Sequence, residues 1–190
     1  MLEIVRDFDF VSDSDRANAV ARMLDPFVRR IFNYITPIYL VTATAPGTGK
    51  TLLTDALTVP STGQPGAKTP LLKQDDAAVA KLVLSLLRQG ASDVNFDNVS
   101  GRLYSSVLAH VVTAYDHSDR LLGGNDMPTY VQRLNWSVTG NNLDVDSDIG
   151  RRVVPIRLAS LVAHPEERTG FLHPELISWE QSNRRSIVTA

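Results

Sequence analysis

The residues with the clearest chemical content run Ala45-Pro46-Gly47-Thr48-Gly49-Lys50-Thr51 and lead at once into Leu52-Leu53-Thr54-Asp55-Ala56-Leu57. Glycines let backbone N–H groups crowd together, and a helix that starts at a lysine and a hydroxyl adds positive potential. That is a cradle for polyphosphate: the amides wrap the phosphates, the ammonium reaches the outer ones and the hydroxyl joins a magnesium ion. Ala45 to Leu52 are therefore candidate nucleotide contacts, with Lys50 for the phosphates and Thr51 for the metal. Thr44 stands five residues before Gly49, where the general pattern has glycine. Gly47, Gly49, Lys50 and Thr51, which make the close approach and the charge contacts, are all present.

A nucleotide held this way needs a second oxygen donor for its metal, at the end of a neighbouring buried strand. Asp97, in Val94-Asn95-Phe96-Asp97-Asn98, meets that need. Asn98 follows it, where a water-polarising glutamate would be usual. No glutamate occurs between Glu3 and Glu166, so water must be oriented by Asn98, activated by an aspartate, or served by a base from a neighbouring subunit. Further along, Thr139-Gly140-Asn141-Asn142 closes another apolar run, and an amide there, from Asn141 or Asn142, can orient a water against the terminal phosphate. Asp148-Ile149-Gly150-Arg151-Arg152 follows within ten residues. Arginine offers a planar fork to phosphate oxygens and can complete a neighbour's site, so Arg151 and Arg152 are candidate fingers.

These residues must be set in place by alternating strands and helices. Ser12 opens a helical pattern that Asp25-Pro26 should divide into two helices, 14–24 and 26–34, because proline suits the first helical position. Pro37 to Ala43 is a charge-free, β-rich run, as expected of a buried parallel strand. Residues 58–70, with three prolines and two glycines, read as a surface loop. Val79, Leu82, Val83, Leu86 and Leu87 repeat at helical spacing from Asp75, and Gly90 marks the stop. A strand is expected at 94–96, a helix at 105–115, strands at 134–139 and 153–158, and a helical tail at 174–186, where Arg184-Arg185 reads as a solvated helix end. Such alternation implies an α/β fold, a parallel sheet sandwiched by helices. The expected divisions are an N-terminal helical segment over 1–34, a P-loop ATPase core over 35–162 and a partial helical lid over 163–190.

The 190 residues, 43% hydrophobic and 21% charged, suffice for one core. A net charge of −2 excludes a broadly basic surface, so any nucleic-acid contact must be local. The absence of cysteine excludes disulfides, thiolate metal sites and thiol nucleophiles. No secretory leader or membrane-length apolar run is present, and a soluble, cytoplasmic protein is expected. The four histidines show no paired metal spacing.

The order of Thr42 to Thr51, Phe96-Asp97-Asn98-Val99, Arg120-Leu121-Leu122-Gly123, Thr139 to Asn142 and Asp148 to Arg152 resembles the AAA+ ATPase/helicase domain of primase-helicase replication proteins. Phages, plasmids and integrated mobile elements carry those proteins. The resemblance spans Phe10 to Ala190. It implies an ATP- and Mg²⁺-dependent motor, often a hexameric homo-oligomer, acting on DNA during replication of a mobile element. Lys50 and Thr51 would take the P-loop roles, Asp97 the metal role, Asn141 or Asn142 the first-sensor role and Arg151 or Arg152 the finger role. Phe96-Asp97-Asn98 is in keeping with that group. The length has no room for a primase or origin-binding region with a full lid, which implies a fragment or a minimal ATPase. Leu121 to Arg133 occupies the place of a DNA-contacting hairpin, yet Gly123-Gly124-Asn125-Asp126 is not basic. Two other functions compete with a motor: a nucleotide-driven assembly switch that does not hydrolyse, and a small P-loop kinase.

Overall fold

A computed structural model describes residues 1–32, 35–71, 75–119, 126–160 and 164–189. In chain order the elements are α1 (Asp13–Ile31), β1 (Ile38–Ala43), α2 (Lys50–Thr62), β2 (Lys68–Thr69), α3 (Asp76–Arg88), β3 (Asp93–Val99), β4 (Arg102–Leu103), α4 (Ser106–Val111), β5 (Asp116–Ser118), β6 (Thr129–Val131), β7 (Asn135–Asn141), β8 (Asp144–Val145), α5 (Ser147–Gly150), β9 (Val153–Leu158) and α6 (Leu176–Thr189), with a 3₁₀ turn at Pro165–Glu167 before α6.

Five strands form one parallel sheet in the order β2-β3-β7-β1-β9. Side chains alternate across it. Ile38, Leu40, Val94, Phe96, Trp136 and Val138 meet α3, α4 and α5 on one face, while Tyr39, Val41, Ala43, Ile156 and Leu158 meet α1, α2 and α6 on the other. The N-terminal segment joins the second face, with Ile4, Val5 and Phe8 buried and Phe10 bridged to Leu158. A sheet covered on both faces explains the charge-free reading of β1. Strands β3 and β7 differ, because Asp93, Asn95, Asp97 and Asn135, Ser137, Thr139 alternate with their apolar residues. That polar row lies under α1 and α2. Thr54 receives the Asn95 amide at 3.0 Å, Thr58 donates to Asp93 at 3.3 Å, and the buried Arg22 pairs with Asp93 and donates to Ser137 at 2.9 Å.

Two expectations about proline are corrected. Pro26 lies inside a single helix, α1, because tertiary contacts hold both halves in line. Asp25 accepts the Tyr39 hydroxyl at 2.7 Å in place of capping a second helix, Met23 is fully buried, and Arg29 donates to the Leu134 carbonyl at 2.8 Å. One missing N–H does not outweigh that packing. Residues 58–70 are likewise not all loop. Helix α2 runs through a buried Pro60 to Thr62, and Lys68–Thr69 adds an edge strand beside β3. Arg184 is no solvated end; it donates to the carbonyls of Pro60 and Ser61 at 3.0 and 3.1 Å, a cation placed at the negative end of α2. Strands β3 and β7 run past the expected 94–96 and 134–139, α4 stops at Val111, and the tail helix is shifted to Leu176–Thr189. Strand β9 lies as read. Arg120 to Gly123 and Gly124-Asn125 fall outside the described residues, but β5 and β6 pair antiparallel on either side of them. Among the described residues no helix is long and apolar enough to cross a membrane.

Candidate functional site

The chain leaves β1 at Ala43, turns through Thr44 to Gly49 and enters α2 at Lys50. The turn is possible because Gly47 and Gly49 both take left-handed backbone, φ 74° and 84°, a region that strains any residue with a Cβ. Thr48 Oγ1 donates back to the Ala45 carbonyl at 3.3 Å. Gly49 caps α2 without a side chain, so its first N–H groups have no side-chain acceptor at that position. Burial pulls the Lys50 ammonium below the ordinary lysine range, and the Asp97 carboxylate opposes that pull.

Asp97 approaches the same helix start from β3. Thr51 Oγ1 donates to Asp97 Oδ1 at 3.1 Å across 46 residues of chain, and Thr139 Oγ1 donates to the same oxygen at 2.7 Å. The β3–β7 register shifts between Phe96 and Val99, so Asp97 and Asn98 form a bulge. Asn98 has φ 54° and its side chain is exposed; its backbone N–H donates to Thr139 Oγ1 at 2.8 Å. At the end of β7, Asn141 lies in register with Ala43, and Asn142 turns the chain at φ 48°. Gly140, just before them, has no space for a side chain: a Cβ would stand 2.5 Å from the Val99 carbonyl oxygen.

Lys50, Thr51, Asp97, Asn98, Asn141 and Asn142 are thus gathered at the carboxyl edge of the sheet, the usual ligand edge of such folds. Arg151 and Arg152 are not. They precede β9, and the Ile38 N–H donates to the Arg152 carbonyl at 2.9 Å, at the amino edge. At about 3.3 Å per residue, the length of β1 puts roughly 17 Å between them and the glycine loop. Both arginines engage Asp148, Arg151 through its carboxylate and Arg152 through its carbonyl.

Beside the loop opens a cleft of about 200 Å³ that sequence reasoning missed. Phe8, Gly47, Thr48, Gly49 and Leu52 form one wall; Arg168, Phe171 and Leu176 contribute to the other. Contacts between the chain's two ends shape it. Arg168 pairs with Asp9 at 2.8 Å and donates to the Asp7 carbonyl at 2.7 Å, and His173 pairs with Glu3 at 2.9 Å while stacking on Trp179 at 3.6 Å. Thr139 was also missed; its one sequence signal is the polar alternation of Asn135, Ser137 and Thr139 in an otherwise apolar strand.

The donor set fits a magnesium ion. Thr51 and Asp97 offer a hydroxyl and a carboxylate already in contact, and Mg²⁺ is ordinarily held by one or two carboxylates with phosphates and water rather than by a protein cage. Among the described residues no group of three His, Asp or Glu side chains could hold a metal alone.

No family model and no curated protein matches the sequence. Solved structures do. The apo A form of the NrS-1 C-terminal region matches with a TM-score of 0.52 and 16% identity, over 97% of this chain and 46% of that one. The two share a fold. This chain spans about half the length of that region. JCV helicase, in a structure with a bound thiazolopyridinyl-phenoxyphenyl acetamide, matches with a TM-score of 0.47 and 16% identity, over 92% of this chain and 46% of that one.

Proposed function

We propose that this chain is the nucleotide-binding motor domain of an AAA+ type P-loop ATPase, taking ATP with Mg²⁺ in the glycine loop and acting on DNA as a helicase or replication ATPase. The observation that carries the reading is the Thr51–Asp97 contact, made at the mouth of a loop with two left-handed glycines. In this reading the loop amides from Ala45 to Leu52 bind the phosphates and Lys50 neutralises their outer oxygens. Its partly desolvated ammonium gains more from a phosphate than a solvated one would. Thr51 and Asp97 would hold Mg²⁺, which would supply positive charge to offset that of the phosphates. Asn98, Asn141 and Asn142 orient water at the same edge, and the cleft between Phe8 and Phe171 takes the nucleoside.

The separation of the arginine pair from its own loop supports a homo-oligomer, because Arg151 or Arg152 can serve only a neighbouring subunit's phosphates. The order of Asp97, the asparagines and the arginine pair along the chain favours a motor over a small kinase.

A non-hydrolysing switch is the second reading, favoured by the exposed amide of Asn98 where a carboxylate base would stand. Glu3 is paired with His173, and Glu180 is buried on α6. Calorimetric titration with Mg·ATP and a phosphate-release assay with and without single-stranded DNA separate the readings, each repeated on Lys50→Ala. Saturable binding and DNA-stimulated release, both lost in the variant, are expected of the motor. Tight binding without release identifies the switch, and no binding by the wild type overturns both.

A further inference from the structure

We infer that Thr139, backed by Gly140, is the positioning residue that holds the Asp97 carboxylate and the Asn98 bulge in one geometry. The inference rests on the nucleotide reading above and adds to it a residue that touches neither nucleotide nor metal. A hydroxyl carries one proton and two lone pairs, so a single threonine can donate to Asp97 Oδ1 at 2.7 Å and accept from the Asn98 N–H at 2.8 Å. Thr139 is only 1% exposed, which leaves no room for solvent to take over either bond.

Three observations converge on this role. The bulge needs an external tie, because its extra residue has lost its ladder partner and Asn98 sits in a left-handed conformation unfavourable to a side chain. Gly140 accommodates the returning chain: the Val99 carbonyl lies where a Cβ would be, so Thr139 and Gly140 together form the bed of the bulge. Finally, Thr51 and Thr139 both donate to Oδ1. Among the described residues no hydrogen bond falls on Oδ2, which keeps its lone pairs for a cation. Thr139 thus fixes which carboxylate oxygen is spent on protein and which is kept for metal. The same bond sets where the Asn98 amide is presented.

The test compares Thr139→Val, equal in shape but without the hydroxyl, with Thr139→Ser, which retains it. NMR hydrogen exchange on the nucleotide-free protein is expected to show the Asn98 amide protected in wild type and Thr139→Ser, with protection reduced at least tenfold in Thr139→Val. Titration with a fluorescent ATP analogue then reads affinity in EDTA and in Mg²⁺. The valine variant keeps its EDTA affinity, which depends on the loop and Lys50, but loses about tenfold of the gain from magnesium, and serine restores that gain. Fast exchange of Asn98 in the wild type, an unchanged magnesium gain in Thr139→Val, or a serine variant as impaired as valine overturns the assignment. If the valine variant does not fold, wild-type exchange and the serine variant decide. A wild type that binds no nucleotide overturns the nucleotide reading, while exchange still reports whether Thr139 ties the bulge.

Discussion

The ring of Phe8 rests on Gly49: a Cβ at that glycine would meet Phe8 Cε1 at 3.3 Å. The N-terminal segment therefore closes directly on the glycine loop, and Gly49 is required both by its neighbour and by its φ of +84°. Gly49→Ala is expected to cost about 1–3 kcal/mol of stability in urea unfolding, the cost of a strained left-handed residue, and to abolish Mg·ATP binding by calorimetry. Binding within threefold of wild type would show that the loop amides are not the phosphate site.

Gly140→Ala should be more damaging to the fold. Its Cβ would stand 2.5 Å from both the Val99 carbonyl oxygen and the Leu143 side chain, and although Leu143 could turn aside the backbone oxygen cannot, so strand β7 or the bulge must move. The expected loss is on the order of 2–4 kcal/mol, measured by chemical denaturation. A variant as stable as wild type would mean that β3 and β7 are less closely apposed than described.

Glu180 supplies a pH dependence. It is 0% exposed on α6, neither carboxyl oxygen has a hydrogen-bond partner among the described residues, and burial pushes its pKa up from 4.5 to about 8. Below pH 4.5 the group is protonated folded or unfolded, and its contribution is intact. As pH rises toward about 8, folding must take up a proton and stability falls; above that value the folded group ionises too and the loss is complete. Glu180→Leu removes this term. The stability difference between variant and wild type should widen in the variant's favour between pH 5 and 9 by on the order of 4 kcal/mol, and thermal unfolding at matched salt measures it. A difference that stays flat across that range refutes the prediction.

The arginine pair offers a test in trans. Arg151 is the more available member, since its side chain is 73% exposed and its ion pair with Asp148 is a surface one of small worth. Arg152 is tied to the Asp148 carbonyl and has a buried Nε without a hydrogen-bond partner among the described residues. Arg151→Ala is expected to bind Mg·ATP as wild type does and to lose phosphate release. Mixing it with Lys50→Ala subunits should restore part of the activity, because each mutant can complete the other's site. No recovery on mixing argues against a finger in trans.

Much of the site can be read along the chain. The Gly47–Thr51 spacing between a charge-free strand and a helix needs nothing distant to be recognised, and Asp97 followed by Asn98 stands out at the end of an apolar run. Thr139 could not be singled out, because a threonine in a strand looks the same whether it faces solvent or ties a bulge. Phe8 and Arg168 were invisible for a different reason: they act by meeting residues from the other end of the chain. Pro26 and Pro60 misled in the opposite direction, since local propensity marked breaks where burial against β1 and the grip of Arg184 keep the helices continuous.

By itself the sequence determined the short-range features: the glycine loop, the order of the four long strands β1, β3, β7 and β9 with helices α2, α3 and α4 between them, and the caps formed by Ser12, Asp75 and Ser105. Each depends on residues a few positions apart, whose hydrogen bonds form within one turn. Only the tertiary structure decided the strand order β2-β3-β7-β1-β9. That order puts Asp97 on Thr51, Thr139 on both Asp97 and Asn98, and the arginines at the far edge. Sheet order comes from burying two apolar faces at once and pairing strands far apart in the chain, a balance over the whole molecule that no local stretch contains.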